Sequence, residues 1–203
     1  MILLRKVDDT MTKESIIIAA LRLFLTRGYK SVSLIDVANE VGITKGGIYH
    51  YFSSKDDLLC TAFHFLLDSV EEKYSHLLSD RYTLKEVLHR LMVENDFERY
   101  ARELFGLQGE CSVDHVHFAI EIMRRFSDIQ ERVQRINVSI CEAFAQKIAI
   151  SIEKGELKSG IDSHALAANV LATVNGQKSL GGHFLSPEMR IRMMENIWGL
   201  IKN

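Results

Sequence analysis

The sequence predicts an all-α protein of about nine helices. Three observations carry this. The 203 residues hold a single proline, Pro187, so almost nothing interrupts a helical backbone. No segment alternates apolar and polar residues over a strand's length. Cap-forming residues and terminating glycines punctuate the chain at helix-sized intervals.

The elements follow in order. Thr12 precedes the apolar run Ile16 to Leu25, which stops at Gly28. Ser33 with Asp36 has the form of a capping box and opens a second helix. On that helix Leu34, Val37, Ala38 and Val41 recur on one face, and Gly42 ends it. Thr44 is the candidate cap of a third, short helix whose inward positions are Ile48 and Phe52. Ser54 with Asp57 starts a longer helix, Thr83 with Glu86 opens a segment reaching Phe105, and Ser127 with Gln130 opens one reaching Lys154. Ser186, Pro187 and Glu188 combine a cap, a proline at the first helical position and an acid; the last helix then runs to about Ile201. Gly106, Gly109, Gly155, Gly160, Gly181 and Gly182 fall where helices should stop. The change of role near residues 53–56 divides the chain into domains 1–53 and 54–203.

Apolar residues make up 47% and charged residues 26%, an ordinary globular balance with net charge −2. Residues 1–60 hold eight Lys/Arg against seven Asp/Glu, so any nucleic-acid surface must be a local patch. Cys60, Cys111 and Cys141 form no CxxC pair and are odd in number, which argues for a reduced, cytoplasmic setting. No signal segment or membrane-length apolar run is present, so the expectation is a soluble protein with no membrane association.

Residues 33–52 have the form of helix, glycine turn and second short helix, with Val37, Val41, Ile43, Ile48 and Phe52 as a miniature core helped by Phe24 and Leu25. The other face of the second helix carries Thr44, Lys45, Gly46, Gly47, Tyr49 and His50. A helix seated in the major groove needs small residues at its N-terminal end so that the backbone approaches base edges. Gly46 and Gly47 meet that need at a helix-propensity cost of about 1 kcal/mol each. Lys45 suits phosphate or guanine, and the hydroxyls of Tyr49 and Tyr51 reach phosphate oxygens. Lys55 sits where a helix start also favours phosphate, and His50 is the candidate for base contact. Such a corner could also be mere packing.

The stretch SLIDVANEVGITKGGIYHYFSSKDDLL, Ser33–Leu59, resembles the DNA-binding signature of the tetracycline repressor (TetR) family. The preceding AALRLFLTRGYKSVS resembles that family's first helix and its closing Gly-Tyr. The likeness covers residues 12–60, departing at Tyr51 and Ile48 in ways that keep the chemistry. It implies an N-terminal three-helix helix-turn-helix domain, a C-terminal helical bundle for regulation and dimerisation, and a homodimeric repressor of a palindromic operator. Recognition helix 44–51 would enter the DNA, and a small-molecule effector in the C-terminal domain would release it. By the same resemblance Ser33, Thr44, Tyr49, Tyr51 and Lys55 anchor phosphates, while Lys45, Gly46, Gly47 and His50 lie nearest the bases.

In the C-terminal part, Ser151–Gly181 resembles, more loosely, the family's lead into its last two helices. The physical pattern agrees: Ala165, Ala167, Ala168, Ala172 and Gly176 permit close approach, and Leu166, Val170, Leu171 and Val174 supply burial. Helices at about 163–181 and 187–201 are therefore the expected dimer surface, unless these faces close the subunit's own core. Effector-pocket candidates are Phe97, Tyr100, Phe105, Phe118, Ile122, Met123 and Phe126, with Gln108, His117, Asn137 and Asn175 as polar orienters. Aromatic and Met stripes at helical spacing are also what a core looks like. Cys111, Asp114 and His115 share a helix face, but His117 points about 160° from His115 on a 100° per residue wheel. We expect no metal, no cofactor and no enzyme activity: the chain lacks GxSxG, HExxH, P-loop and dinucleotide-binding patterns.

Overall fold

A computed structural model describes residues 2–94, 96–106, 115–180, 184 and 186–203. Ten α-helices lie among the described residues: α1 (Ile2–Arg27), α2 (Leu34–Val41), α3 (Lys45–Tyr51), α4 (Lys55–Leu78), α5 (Leu84–His89), α6 (Asp96–Phe105), α7 (His115–Arg125), α8 (Ser127–Glu153), α9 (Ser163–Leu180) and α10 (Pro187–Ile201). A 3-10 turn, Tyr29–Ser31, follows α1, and a π-turn, Arg90–Glu94, separates α5 from α6. There is no strand among these residues, only an isolated bridge between Leu157 and Lys202. The fold is all-α, as the sequence predicts.

The chain forms two compact units. The first comprises Met1–Ser69 with Tyr100–Gln130, the second Val70–Arg99 with Glu131–Asn203. In the first unit, Ile16, Ala20, Leu21 and Phe24 of α1 are buried with Val37 and Ala38 of α2, Ile48 of α3 and Phe52. Leu58, Leu59 and Ala62 of α4 are fully buried as well. Side chains one turn apart on each helix thus close one apolar centre, and burying each of the larger ones stabilises by about 1.5–3 kcal/mol. In the second unit, Leu84, Val87, Leu88, Met92, Phe144 and Ile148 form the middle of a separate core, joined by Ala167 and Val170 of α9 and Met194 of α10.

Two boundaries differ from the sequence reading. The first helix begins at Ile2 rather than near Thr12, because nothing between those positions breaks a helix and Thr tolerates one. The segment from Thr83 to Phe105 is interrupted by the π-turn. That extra residue keeps Leu91 and Met92 buried while Arg90 bonds to Asp96, the first residue of α6.

Candidate functional site

Local hydrogen bonds set the geometry of α2 and α3. Ser33 and Asp36 form the reciprocal capping box: the Asp36 N–H donates to Ser33 Oγ at 3.2 Å, and the Ser33 N–H donates to Asp36 Oδ2 at 2.7 Å. Ser33 Oγ also donates to that carboxylate at 2.6 Å. These bonds hold the Asp36 carboxyl below its ordinary range, the hydroxyl contributing most and the backbone N–H next. Gly42 then takes φ 76, a left-handed conformation that glycine adopts without strain. Its N–H donates to Asn39 O at 3.2 Å and the Ile43 N–H to Ala38 O at 2.9 Å, which is a Schellman closure. Thr44 caps α3, its Oγ1 accepting from the Gly47 N–H at 3.1 Å.

The result is a short helix with one anchored face and one open face. Ile48 is fully buried and Phe52 nearly so. Opposite them, Thr44, Lys45, Gly46, Tyr49 and His50 are exposed, Tyr49 at 49% despite its large ring. His50 lies edge-on to half-buried Tyr51, ring centroids 5.3 Å apart. A Cβ built on Gly46 would meet only Thr44 Oγ1, at 4.0 Å; one on Gly47 would make ordinary contacts at 3.4 Å and beyond. Neither glycine has a positive φ. The subunit's own packing and backbone therefore do not require glycine at either place.

Two sequence-nominated anchors are engaged inside the fold. The Ser33 hydroxyl proton is committed to Asp36. Lys55 is half-buried. Its Nζ donates to Tyr29 O and Val32 O, both at 2.8 Å, and lies 4.0 Å from the Tyr29 ring centroid. Lys55 thus ties the start of α4 to the turn before α2. Tyr29 is 8% exposed, and its hydroxyl donates to Asp56. Arg125 of α7 donates to both Asp56 oxygens, at 2.8 and 2.9 Å, and stacks over the same ring at 4.9 Å. Burial first, and the bond to Asp56 second, push the Tyr29 phenol up to about 12. Sequence reading missed this cluster. Lys55 and Asp56 are 26 and 27 residues from Tyr29 and Arg125 is 69 from Asp56, so only the Gly-Tyr at the end of α1 was a signal.

The second unit holds a partly open cavity of about 390 Å³ between α4, the π-turn, α8 and α9. Asn137 and Asn175, nominated as polar orienters, line it. Tyr100, Phe118, Ile122, Met123 and Phe126 belong instead to the first unit, where Ile122 is buried and Phe118 packs on Phe63 with centroids 5.8 Å apart. The side chains of Phe97, Phe105 and His117 lie outside the described part, as do residues Gln108, Cys111 and Asp114. Among the described residues no group of three or more His, Cys, Asp or Glu could hold a metal ion, and no helix is long and apolar enough to cross a membrane.

A short helix held from below after a glycine turn, with its other face open, is a helix-turn-helix arrangement. Comparison with known proteins points to a family. Residues 16–60 match the family model described as bacterial regulatory proteins, tetR family. The chain is 26% identical over 176 residues to the HTH-type transcriptional regulator TtgR of Pseudomonas putida, covering 84% of this chain and 80% of that one. It is 25% identical over 173 residues to the HTH-type transcriptional repressor BepR of Brucella suis, again covering 84% and 80%. Among solved structures, a TetR-family transcriptional regulator from Cytophaga hutchinsonii superimposes with a TM-score of 0.71 at 19% identity, covering 95% of both chains. A TetR transcriptional regulator from Chloroflexus aurantiacus gives 0.70 at 22%, covering 95% and 97%. Residues 16–60 thus carry the tetR-family signature, and over most of its length the chain is similar to HTH-type transcriptional regulators at 26% identity or below.

Proposed function

We propose that the protein is an effector-responsive repressor that binds a palindromic operator as a homodimer, one α3 per half-site. The observation that carries the reading is the unexplained glycine at position 46. It costs helix stability, and an added Cβ would have only one neighbour, 4.0 Å away. A helix backbone pressed against base edges explains it. In this reading Lys45, Gly46, Gly47 and His50 lie nearest the bases, and Thr44, Tyr49 and Tyr51 meet phosphates. Ser33 and Lys55 chiefly hold α2 and α4 in place and offer phosphate only what their internal bonds leave over. Residues 1–53 are the DNA-binding domain and 54–203 the regulatory one. The role is regulatory rather than enzymatic, exercised in the cytoplasm.

The dimer forms through α9 and α10. Leu180, Ile191 and Leu200 are exposed apolar side chains on these two helices. A Cβ on Gly176 of α9 or Gly199 of α10 would meet nothing within 4 Å. Helix-interior glycines that the subunit does not need suit close approach by a second copy.

The test is duplex selection from a random pool followed by a mobility shift at moderate salt. The reading expects an inverted-repeat consensus and a selective shift. Recovery of no consensus, with equal retardation of random DNA, would refute it.

A further inference from the structure

The effector site can be given a chemistry, on the reading that the chain is effector-responsive. The cavity in the second unit has a mostly apolar wall, and its size falls within the ~300–1,000 Å³ range of sites for drug-sized ligands. Its floor and its rim differ. Leu77, Leu91, Ile140 and Val174 are buried and form an apolar floor. Asn137, Ala168, Ala172 and Asn175 are exposed and mark the open side.

Three charged side chains also line the wall, Lys73, Arg90 and Asp96, and each is already engaged within the protein. The Asp96 carboxylate accepts from Arg90 Nη1 at 3.2 Å and from Arg99 Nη2 at 2.5 Å. Arg90 also stands 3.9 Å from Glu94 and lies over the Tyr82 ring, 4.4 Å from its centroid. Lys73 has an interaction partner of its own. An ionic ligand head would have to displace one of these contacts, and taking one member from a buried pair leaves the other uncompensated. Asn137 of α8 and Asn175 of α9 are in the opposite position. Among the described residues neither carboxamide has a hydrogen-bond partner. Each offers two N–H donors and a carbonyl acceptor.

We propose that this cavity binds an uncharged amphiphile. Its compact apolar body rests on Leu77, Ile140 and Val174, and its one neutral head, a carboxamide or a group that likewise both donates and accepts, meets Asn137 and Asn175 at the rim. Such a head satisfies the carbonyl and the amino end of an asparagine together. A carboxylate of the same shape offers only acceptors and an amidinium only donors, and each gives up hydration that no vacant wall charge replaces.

The experiment is calorimetric titration of the full-length protein with three probes of one shape. 2-Naphthamide, 2-naphthoate and 2-naphthamidine share an apolar body and differ in the charge of the head. The neutral amide should bind at least about tenfold tighter than either ion. Asn137→Leu and Asn175→Leu should each weaken the amide about three- to tenfold. Ala172→Phe, on the open side, should abolish its binding. An ion that binds as tightly as the amide overturns the neutral-head assignment. Amide affinity unchanged in both asparagine variants overturns the placement of the head. Absence of amide binding, or binding indifferent to Ala172→Phe, overturns the cavity as the site. The operator selection is a separate measurement: a selective DNA shift without amide binding refutes this inference and leaves the DNA reading whole. Melting curves identify any misfolded variant; Ala168→Phe, on the same wall, replaces Ala172→Phe if that is lost, and either asparagine variant suffices if the other is.

Discussion

Gly46→Ala separates what α3 does for the fold from what it does for DNA. In the subunit the new methyl meets only Thr44 Oγ1, at 4.0 Å, and the backbone needs no positive φ there. Replacing a helical glycine with alanine then stabilises by about 0.5–1 kcal/mol. For a chain of this size that raises Tm by about 1–4 °C. In the proposed complex the same methyl would stand between the helix backbone and the base edges. Disturbing one such contact costs about 1–3 kcal/mol, and a dimer places it twice, so the operator complex loses about 2–6 kcal/mol. At the low end that is about thirtyfold in Kd. Scanning calorimetry and fluorescence anisotropy on a selected operator duplex read the two effects on the same sample. A variant that melts higher and binds the operator more weakly fits the account. One that binds with undiminished affinity refutes the claim that the backbone at Gly46 approaches the bases.

Other outcomes follow from the same geometry. Lys45→Ala should leave Tm within about 1 °C and weaken binding to a selected operator by about 1–3 kcal/mol more than to random DNA. Lys55→Ala should instead lower Tm by about 4–8 °C, because it deletes two bonds to backbone carbonyls worth about 2 kcal/mol together; calorimetry beside binding to operator and random duplexes distinguishes the two lysines. Gly176→Leu should leave the subunit folded but shift it toward monomer in sedimentation velocity, since the subunit leaves that position open. Tyr29 titrates at about 12 in the fold and about 10 when unfolded. The neutral phenol is therefore the stabilised form. Its contribution is complete below about pH 10 and disappears as pH rises to about 12. Tyr29→Phe should flatten that alkaline limb in denaturation curves measured across the interval.

How much could be read in advance depended on the range of the interaction. Ser33 with Asp36, Thr83 with Glu86, and Thr44 before α3 are contacts within three residues, and each cap is found where the sequence reading put it. Ser54 with Asp57 is found in half: the Asp57 N–H donates to Ser54 Oγ at 3.0 Å as the sequence predicts, while the Asp57 carboxylate accepts from Ser53 instead. Lys55 read as a surface cation because its acceptors, the carbonyls of Tyr29 and Val32, are 26 and 23 residues away. The cavity eluded the aromatic stripe for a similar reason. Periodicity says that Phe118 and Ile122 face something apolar; it does not say that this is the first unit's core rather than a void in the second. Asn137 and Asn175 line the cavity, but both are exposed rather than packed among apolar side chains.

The most direct test of the central claim is methylation protection of guanine N7 on a selected operator bound by the wild-type protein. N7 lies on the floor of the major groove, so it reports a helix lodged there and nothing else about the complex. The account expects two protected clusters related by a dyad, their centres a whole number of helical turns apart and both weakened by Gly46→Ala. Retarded DNA in which every N7 stays fully reactive would contradict it.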